Sequence, residues 1–183
     1  MVEKRQTESI TFRIDKQVLD SLRDAAKRQK ISPNSLAGQI LGSYLEWGAK
    51  AVAAGWVSMP KPFLIELMKL IDEKDMTRTI AGLSSEFGKD ADLFMRGRHD
   101  LEAWLSVIRS RATRSGFNIM EYRRGDELEI VIQHDMGKKW SLYFKTFYEN
   151  VFYDLGAKAR FDYTENTITI TLDAAPPKGD LTA

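Results

Sequence analysis

Residues Ser9-Ile10-Thr11-Phe12-Arg13-Ile14 alternate polar and apolar without a break, so Ile10, Phe12 and Ile14 share one face and Ser9, Thr11 and Arg13 the other. This six-residue stretch predicts a β-strand, yet no hairpin partner follows it. Asp15 instead offers a helix N-cap. Val18, Leu19, Leu22, Ala25 and Ala26 then recur at helical spacing, which predicts an amphipathic helix from Lys16 to about Gln29. Ser32-Pro33 starts a second helix with a hydroxyl at the cap and proline in the first turn. Leu36, Ile40, Leu41, Tyr44, Leu45 and Trp47 or Gly48 form its apolar face, and small residues continue to a stop at Gly55. A strand alone has no partner for its backbone donors and acceptors, and one strand with two helices is too little to be stable. Two copies solve both problems. An antiparallel ribbon of residues 9–14 lays Ile10, Phe12 and Ile14 on four helices and turns Ser9, Thr11 and Arg13 outward, so residues 1–55 are expected to be an obligate dimer.

A two-stranded ribbon fits the major groove of DNA. The run from Ser9 to Asp15, then Val18-Leu19-Asp20-Ser21-Leu22, then Ile31-Ser32-Pro33-Asn34-Ser35-Leu36, resembles the ribbon-helix-helix family, the Arc and MetJ repressor class, over residues 8 to about 50. The resemblance implies a β-α-α module that binds double-stranded operator DNA as a homodimer, with room for further association on DNA. It places the base-reading residues at Ser9, Thr11 and Arg13 and the phosphate clamp at Ser32 and Asn34. Arg13 is suited to guanine, because its guanidinium fork spans O6 and N7. Amides in the first turn of a helix attract anions. Pro33 removes one such amide, leaving those of Asn34 and Ser35 as expected phosphate contacts, with Lys4 and Arg5 as a basic arm along the backbone. Charge agrees mildly. The chain carries +1 overall, but residues 1–55 carry +3 and residues 116–183 carry −3.

The chain has 183 residues, enough for one medium domain or two small ones. It has no cysteine, which excludes disulfides, thiolate metal sites and Cys nucleophiles, and its two histidines leave little for a metal. No metal and no cofactor is expected. No apolar run has secretory or membrane-spanning length, so a cytoplasmic protein without a membrane partner is expected.

Met59-Pro60-Lys61-Pro62 pushes the backbone extended and predicts a linker over 56–62. Residues 63–115 read as helices: Phe63 to about Lys74, Met76 to Phe87, a short one over Lys89 to Gly97, and Asp100 to Ser115 with a stripe of Leu101, Trp104, Leu105 and Ile108. From Phe117 the period drops to two. Residues 117–172 read as ββαββ: a hairpin turning at Arg124-Gly125-Asp126, a helix from Lys138 to Leu155, and a second hairpin turning at Glu165-Asn166. Residues 173–183, with Pro176-Pro177, read as a disordered tail. The fold class is α+β, with four antiparallel strands and helices packed on one face.

His134 shares a strand face with Leu128, Ile130 and Ile132. It reads either as a buried, hydrogen-bonded histidine or as part of an anion site with Lys138 and Lys139 where the next helix starts. Trp140, Tyr143, Phe144, Phe147, Tyr148, Phe152 and Tyr153 occupy two faces of that helix, which calls for core and dimer packing or for an apolar ligand pocket. His134, Lys138, Lys139, Trp140 and Phe144 are the candidate ligand residues, for a small apolar or anionic molecule. The ββαββ order behind a helical segment is loosely similar to sensing domains of the vinyl-reductase type. No nucleophile with an adjacent base and no carboxylate pair can be assembled, and His99 sits in a charged run that reads as a solvated helix junction, so no enzyme is expected. The expected function is a sequence-specific homodimeric transcriptional regulator with a C-terminal ligand-sensing or protein-binding domain. The alternative is an antitoxin-like or scaffold protein whose C-terminal domain holds a protein partner.

Overall fold

Short polar side chains cap four of the helices, three of them at expected helix starts and Asp72 where a helix is expected to run on to about Lys74. In this computed structural model, which describes residues 8–173 apart from the side chain of Lys89, Asp15 accepts from the Gln17 amide at 2.7 Å and opens α1 (Lys16–Gln29). Ser32 accepts from the Ser35 amide at 3.0 Å and opens α2 (Pro33–Ser43). Asp72 and Asp100 do the same for the Lys74 and Ala103 amides, at 2.8 Å each, opening α5 (Glu73–Arg96) and α6 (Leu101–Arg114). Each cap satisfies a donor that the helix leaves unpaired and contributes roughly 1 kcal/mol. The expected tail past Asp173, like Lys4 and Arg5, lies outside the described residues.

The described residues form two compact units that divide between Gly48 and Ala49. In the first, α1 packs on α2, and a π-helical turn (Tyr44–Gly48) follows α2 where an uninterrupted helix is expected. Ala26, Leu36 and Trp47 are buried there, while Ile10, Phe12, Ile14, Val18, Ile40, Leu41, Tyr44 and Leu45 are exposed. The strand expected over 9–14 is absent from this single chain. The reason is physical: a strand exists through its ladder, and among the described residues no segment pairs with residues 9–14.

The second unit holds a short helical turn α3 (Ala49–Ala51), α4 (Lys61–Lys69), α5, α6, β1 (Asn118–Arg124), β2 (Glu127–Gln133), α7 (Lys138–Asp154), β3 (Ala159–Tyr163) and β4 (Thr167–Asp173). The strands form one antiparallel sheet in the order β1-β2-β4-β3, so the expected four-stranded antiparallel α+β arrangement is present. At its centre Leu128 faces Leu172, Ile130 faces Ile170 and Ile132 faces Ile168, and all six are buried. Period-two alternation puts them on one face, and α6 and α7 cover the sheet while α5 packs on both helices. Aromatic rings carry these contacts. Phe152 of α7 lies 5.7 Å from Phe161 of β3, and Phe147 lies 5.9 Å from Trp104 of α6, centroid to centroid.

Two helices expected over Met76–Phe87 and Lys89–Gly97 are one, α5, which runs through Gly88 to its left-handed cap at Gly97. Glycine in a helix interior weakens it by about 1 kcal/mol relative to alanine, so the propensity argument favours a break. Packing overrides it. A Cβ at Gly88 would stand 2.9 Å from Val151 Cγ2 of α7, and the Gly88 carbonyl accepts from Trp104 Nε1 at 3.2 Å. Bare backbone is what lets α5 approach its neighbours.

The start of α7 is held from across the sheet. Gly137, at φ 87°, gives its amide to Asn166 Oδ1 at 2.9 Å. His134 is fully buried, and the Met136 amide donates to its Nδ1 at 3.1 Å, so that nitrogen carries the lone pair. Nε2 therefore bears the proton and donates to Ser141 Oγ at 2.8 Å, whose hydroxyl donates to the Glu165 carbonyl at 3.1 Å. The buried, hydrogen-bonded reading of His134 is the one observed. Burial pushes its pKa down to about 4, with Asp135 opposing and Lys61 assisting more weakly.

Two outcomes are expected. Gly88→Ala lowers thermal stability by about 1–2 kcal/mol although alanine is the better helix former, and adding Val151→Ala recovers part of that loss in a double-mutant cycle. Because the His134 pKa is depressed on folding, its neutral form stabilises the fold fully above pH 6.5, and that contribution of up to about 3 kcal/mol is lost as pH falls toward 4. Unfolding followed from pH 7.5 to 4 should be steeper for the unmodified chain than for His134→Gln; equal slopes would refute the assignment.

Candidate functional site

The first unit presents the residues that the ribbon reading requires on one short stretch. Ser9, Thr11 and Arg13 are exposed and alternate with Ile10, Phe12 and Ile14, which are 73%, 57% and 48% exposed. Arg13 has no ion pair or hydrogen bond among the described residues, so its guanidinium is available to a base edge. At the start of α2 the geometry narrows the expected phosphate clamp. The Ser35 amide is taken by Ser32 Oγ, and the two hydroxyls lie 2.8 Å apart. With Pro33 lacking a donor, the Asn34 amide is the one in that first turn without an internal partner, beside the exposed hydroxyls of Ser32 and Ser35. Neither Lys4 nor Arg5 lies within the described residues.

The residues expected to bind a ligand at the start of α7 do not converge. His134 is turned into the network described above. Lys139 Nζ donates to the carbonyls of Lys69 at 3.2 Å and Ile71 at 2.6 Å, closing the end of α4, and Lys138 points to solvent. Trp140 and Phe144 do stay together, with ring centroids 5.8 Å apart. Phe144 in turn stands against a residue the sequence reading passed over, Arg111 of α6.

Arg111 lies one turn past Ile108 on the stripe of Leu101, Trp104, Leu105 and Ile108 and continues it with a charge. Its guanidinium carbon stands 5.0 Å from the Trp56 ring centroid, 5.1 Å from Phe144 and 5.9 Å from Tyr143. Each such ring stabilises a cation by roughly 0.5–2 kcal/mol. Burial works to lower the pKa of this side chain, but the phenols of Tyr143 and Tyr148 outweigh it and hold the pKa above the usual arginine value. Arg111 takes part in none of the ion pairs among the described residues. Beside it opens a small cleft lined by Ile108, Ala112, Phe117, Ile132, Phe144 and Tyr148, with room inside for about one water molecule. A helix-stripe position that carries arginine instead of an aliphatic residue was the signal available in the sequence.

His99 stands exposed in the junction between α5 and α6, as expected, but it also has a partner. Its Nδ1 lies 2.9 Å from Oδ1 of Asp92, a fully buried carboxylate on α5, and the pair ties the turn after α5 back to the helix. Among the described residues no group of three or more His, Asp or Glu is placed to hold a metal, and no helix is long and apolar enough to cross a membrane. Comparison with known protein families and with curated protein sequences gives no match, so the chemistry of these surfaces is the basis for a functional reading.

Proposed function

We propose that the chain is a homodimeric, sequence-specific DNA-binding regulator whose second unit senses a ligand. The observation that carries this reading is the exposed apolar row Ile10, Phe12 and Ile14, set in strict alternation with Ser9, Thr11 and Arg13 ahead of two capped helices. A surface of this kind is costly in water, and a second copy removes it while pairing the unpaired backbone of residues 9–14. Pairing then commits the other face. Two copies of Ser9, Thr11 and Arg13 stand on one ribbon, flanked by two α2 starts whose Asn34 amides are free to meet phosphates.

A second reading, in which the second unit holds a protein partner, draws on α4 and its C-cap Leu70: Phe63, Leu67 and Leu70 recur at helical spacing and are 52%, 43% and 84% exposed. Retention of an unrelated protein with normal operator binding would favour it.

The decisive experiment is fluorescence anisotropy of the purified protein on DNA from its own promoter, at two salt concentrations, with mass measured in parallel. A dimer that binds the promoter more tightly than scrambled DNA, and more weakly as salt rises, is expected. Arg13→Ala should keep the dimer and lose about 1–3 kcal/mol of discrimination at one base pair. Phe12→Asp should abolish dimer and DNA binding together. A dimer that binds no DNA at low salt would overturn the proposal.

A further inference from the structure

We propose that the free edge of β3 pairs antiparallel with β3 of a second copy, joining two four-stranded sheets into one continuous sheet. The pairing goes beyond the DNA-binding reading and does not depend on it, because every residue involved lies in the second unit.

The backbone provides the first argument. β3 ends the order β1-β2-β4-β3 and has one strand neighbour, β4. Just beyond its two ends, the Thr164 amide donates to the Thr167 carbonyl at 2.9 Å and the Asp173 amide to the Lys158 carbonyl at 3.3 Å. Successive residues of an antiparallel strand turn their backbone groups to opposite sides. Lys158, Arg160, Asp162 and Thr164 therefore address β4, and Ala159, Phe161 and Tyr163 address the outside. The amides and carbonyls of these three have no hydrogen bond among the described residues. Such an edge accepts another strand unless proline, lysine or a bulge blunts it, and β3 runs unbroken from Ala159 to Tyr163 with none of them.

The side chains select the partner. Laid antiparallel on its own copy about Phe161, the sequence Ala159-Arg160-Phe161-Asp162-Tyr163 sets Arg160 opposite Asp162 of the other copy and Ala159 opposite Tyr163. Opposite charges face each other, a small residue faces a large one, and Phe161 faces itself. The same register brings the outward backbone groups of Ala159, Phe161 and Tyr163 together as hydrogen-bonded pairs. Arg160 and Asp162 are exposed; Glu127 takes one donor of the guanidinium at 2.6 Å and leaves others, and Asp162 enters none of the ion pairs among the described residues. On the opposite face Phe161 and Tyr163 are half-buried, so pairing carries the Phe152–Phe161 contact on across the joint. The other edge lacks this match. β1 laid over its full length on its own copy sets Glu121 against Glu121.

A strand of this length spans roughly 17 Å, and two of them bury less than the about 1,200 Å² of a standard stable interface. The contact is therefore weak, forming above about 100 μM, and leaves the mass at low micromolar concentration to the ribbon. On the DNA-binding reading it acts between dimers that one DNA already holds close together.

Sedimentation equilibrium of the full-length chain carrying Phe12→Asp, which removes ribbon pairing at an exposed position, tests the edge alone. Its mass should rise toward that of a dimer between about 10 μM and about 1 mM. Arg160→Asp and Asp162→Arg, each added singly, set like charges face to face and should weaken association by about tenfold or more. An equimolar mixture of the two should recover it, because opposite charges meet again. A chain that stays monomeric at 1 mM, single variants that associate as strongly as their parent, or a mixture no stronger than either variant overturns the proposal. Should one single variant fail to fold, the combined Arg160→Asp and Asp162→Arg chain, which keeps the charges matched, should associate like its parent while the remaining single variant does not. If residues 9–14 do not pair, Phe12→Asp changes nothing and the β3 variants still decide.

Discussion

Helix α7 is buried on two sides, and the second unit is arranged around that fact. One row, Phe144, Tyr148 and Phe152, recurs every four residues, with neighbouring rings 6.1 Å and 6.4 Å apart, and reaches the sheet through Phe161. The other, Phe147 and Val151, turns to Trp104 of α6 and to Gly88 of α5. A sheet with one apolar face needs a cover, and a cover this aromatic needs something behind it. Helix α5 supplies that backing, close enough only because residue 88 has no side chain. The His134 network then fixes where α7 begins, joining the ends of β2 and of the β3–β4 turn through Asn166 and Glu165. Burying the imidazole neutral makes that anchor sensitive to acid.

The first unit obeys a different constraint. Its helices are well capped, but Ala26, Leu36 and Trp47 are a small core to set against the conformational entropy of ordering the segment. On the proposed reading a second copy supplies the missing burial. Antiparallel pairing of residues 9–14 would satisfy both the backbone and the apolar row, which is why the dimer and the DNA surface are one hypothesis and not two.

Local signals made much of the architecture legible. Asp15, Ser32 and Asp100 mark helix starts, Gly97 and Gly116 mark stops, and the alternation around Ile130 and Ile170 marks strands whose facing residues the sheet pairs as the pattern requires. What escaped the sequence depends on contacts between distant segments. Gly88 reads locally as a break, and only the approach of Val151, far along the chain, turns it into a packing residue. Lys139 reads as half of an anion site because nothing in the sequence reveals that the open carbonyls of Lys69 and Ile71 lie within its reach. The Ser35 amide looked free until Ser32 was seen to take it. Arg111 was legible in principle, since an arginine on an apolar stripe is a misfit, but the rings that tolerate it come from Trp56 and α7, and no periodicity links them.

That misfit also separates the roles of the two units. A core built for stability alone would place an aliphatic residue where Arg111 stands, because aromatic packing around a guanidinium leaves a desolvation cost that leucine or methionine avoids. The exposed apolar row of the first unit is the kind of surface a second copy can cover, and if it does, the covered form depends on protomer concentration. The guanidinium of the second unit and the rings around it belong to one chain, so that arrangement does not depend on concentration. On the proposed reading, a ligand of the second unit can change DNA affinity only if it binds one state of the protein better than another.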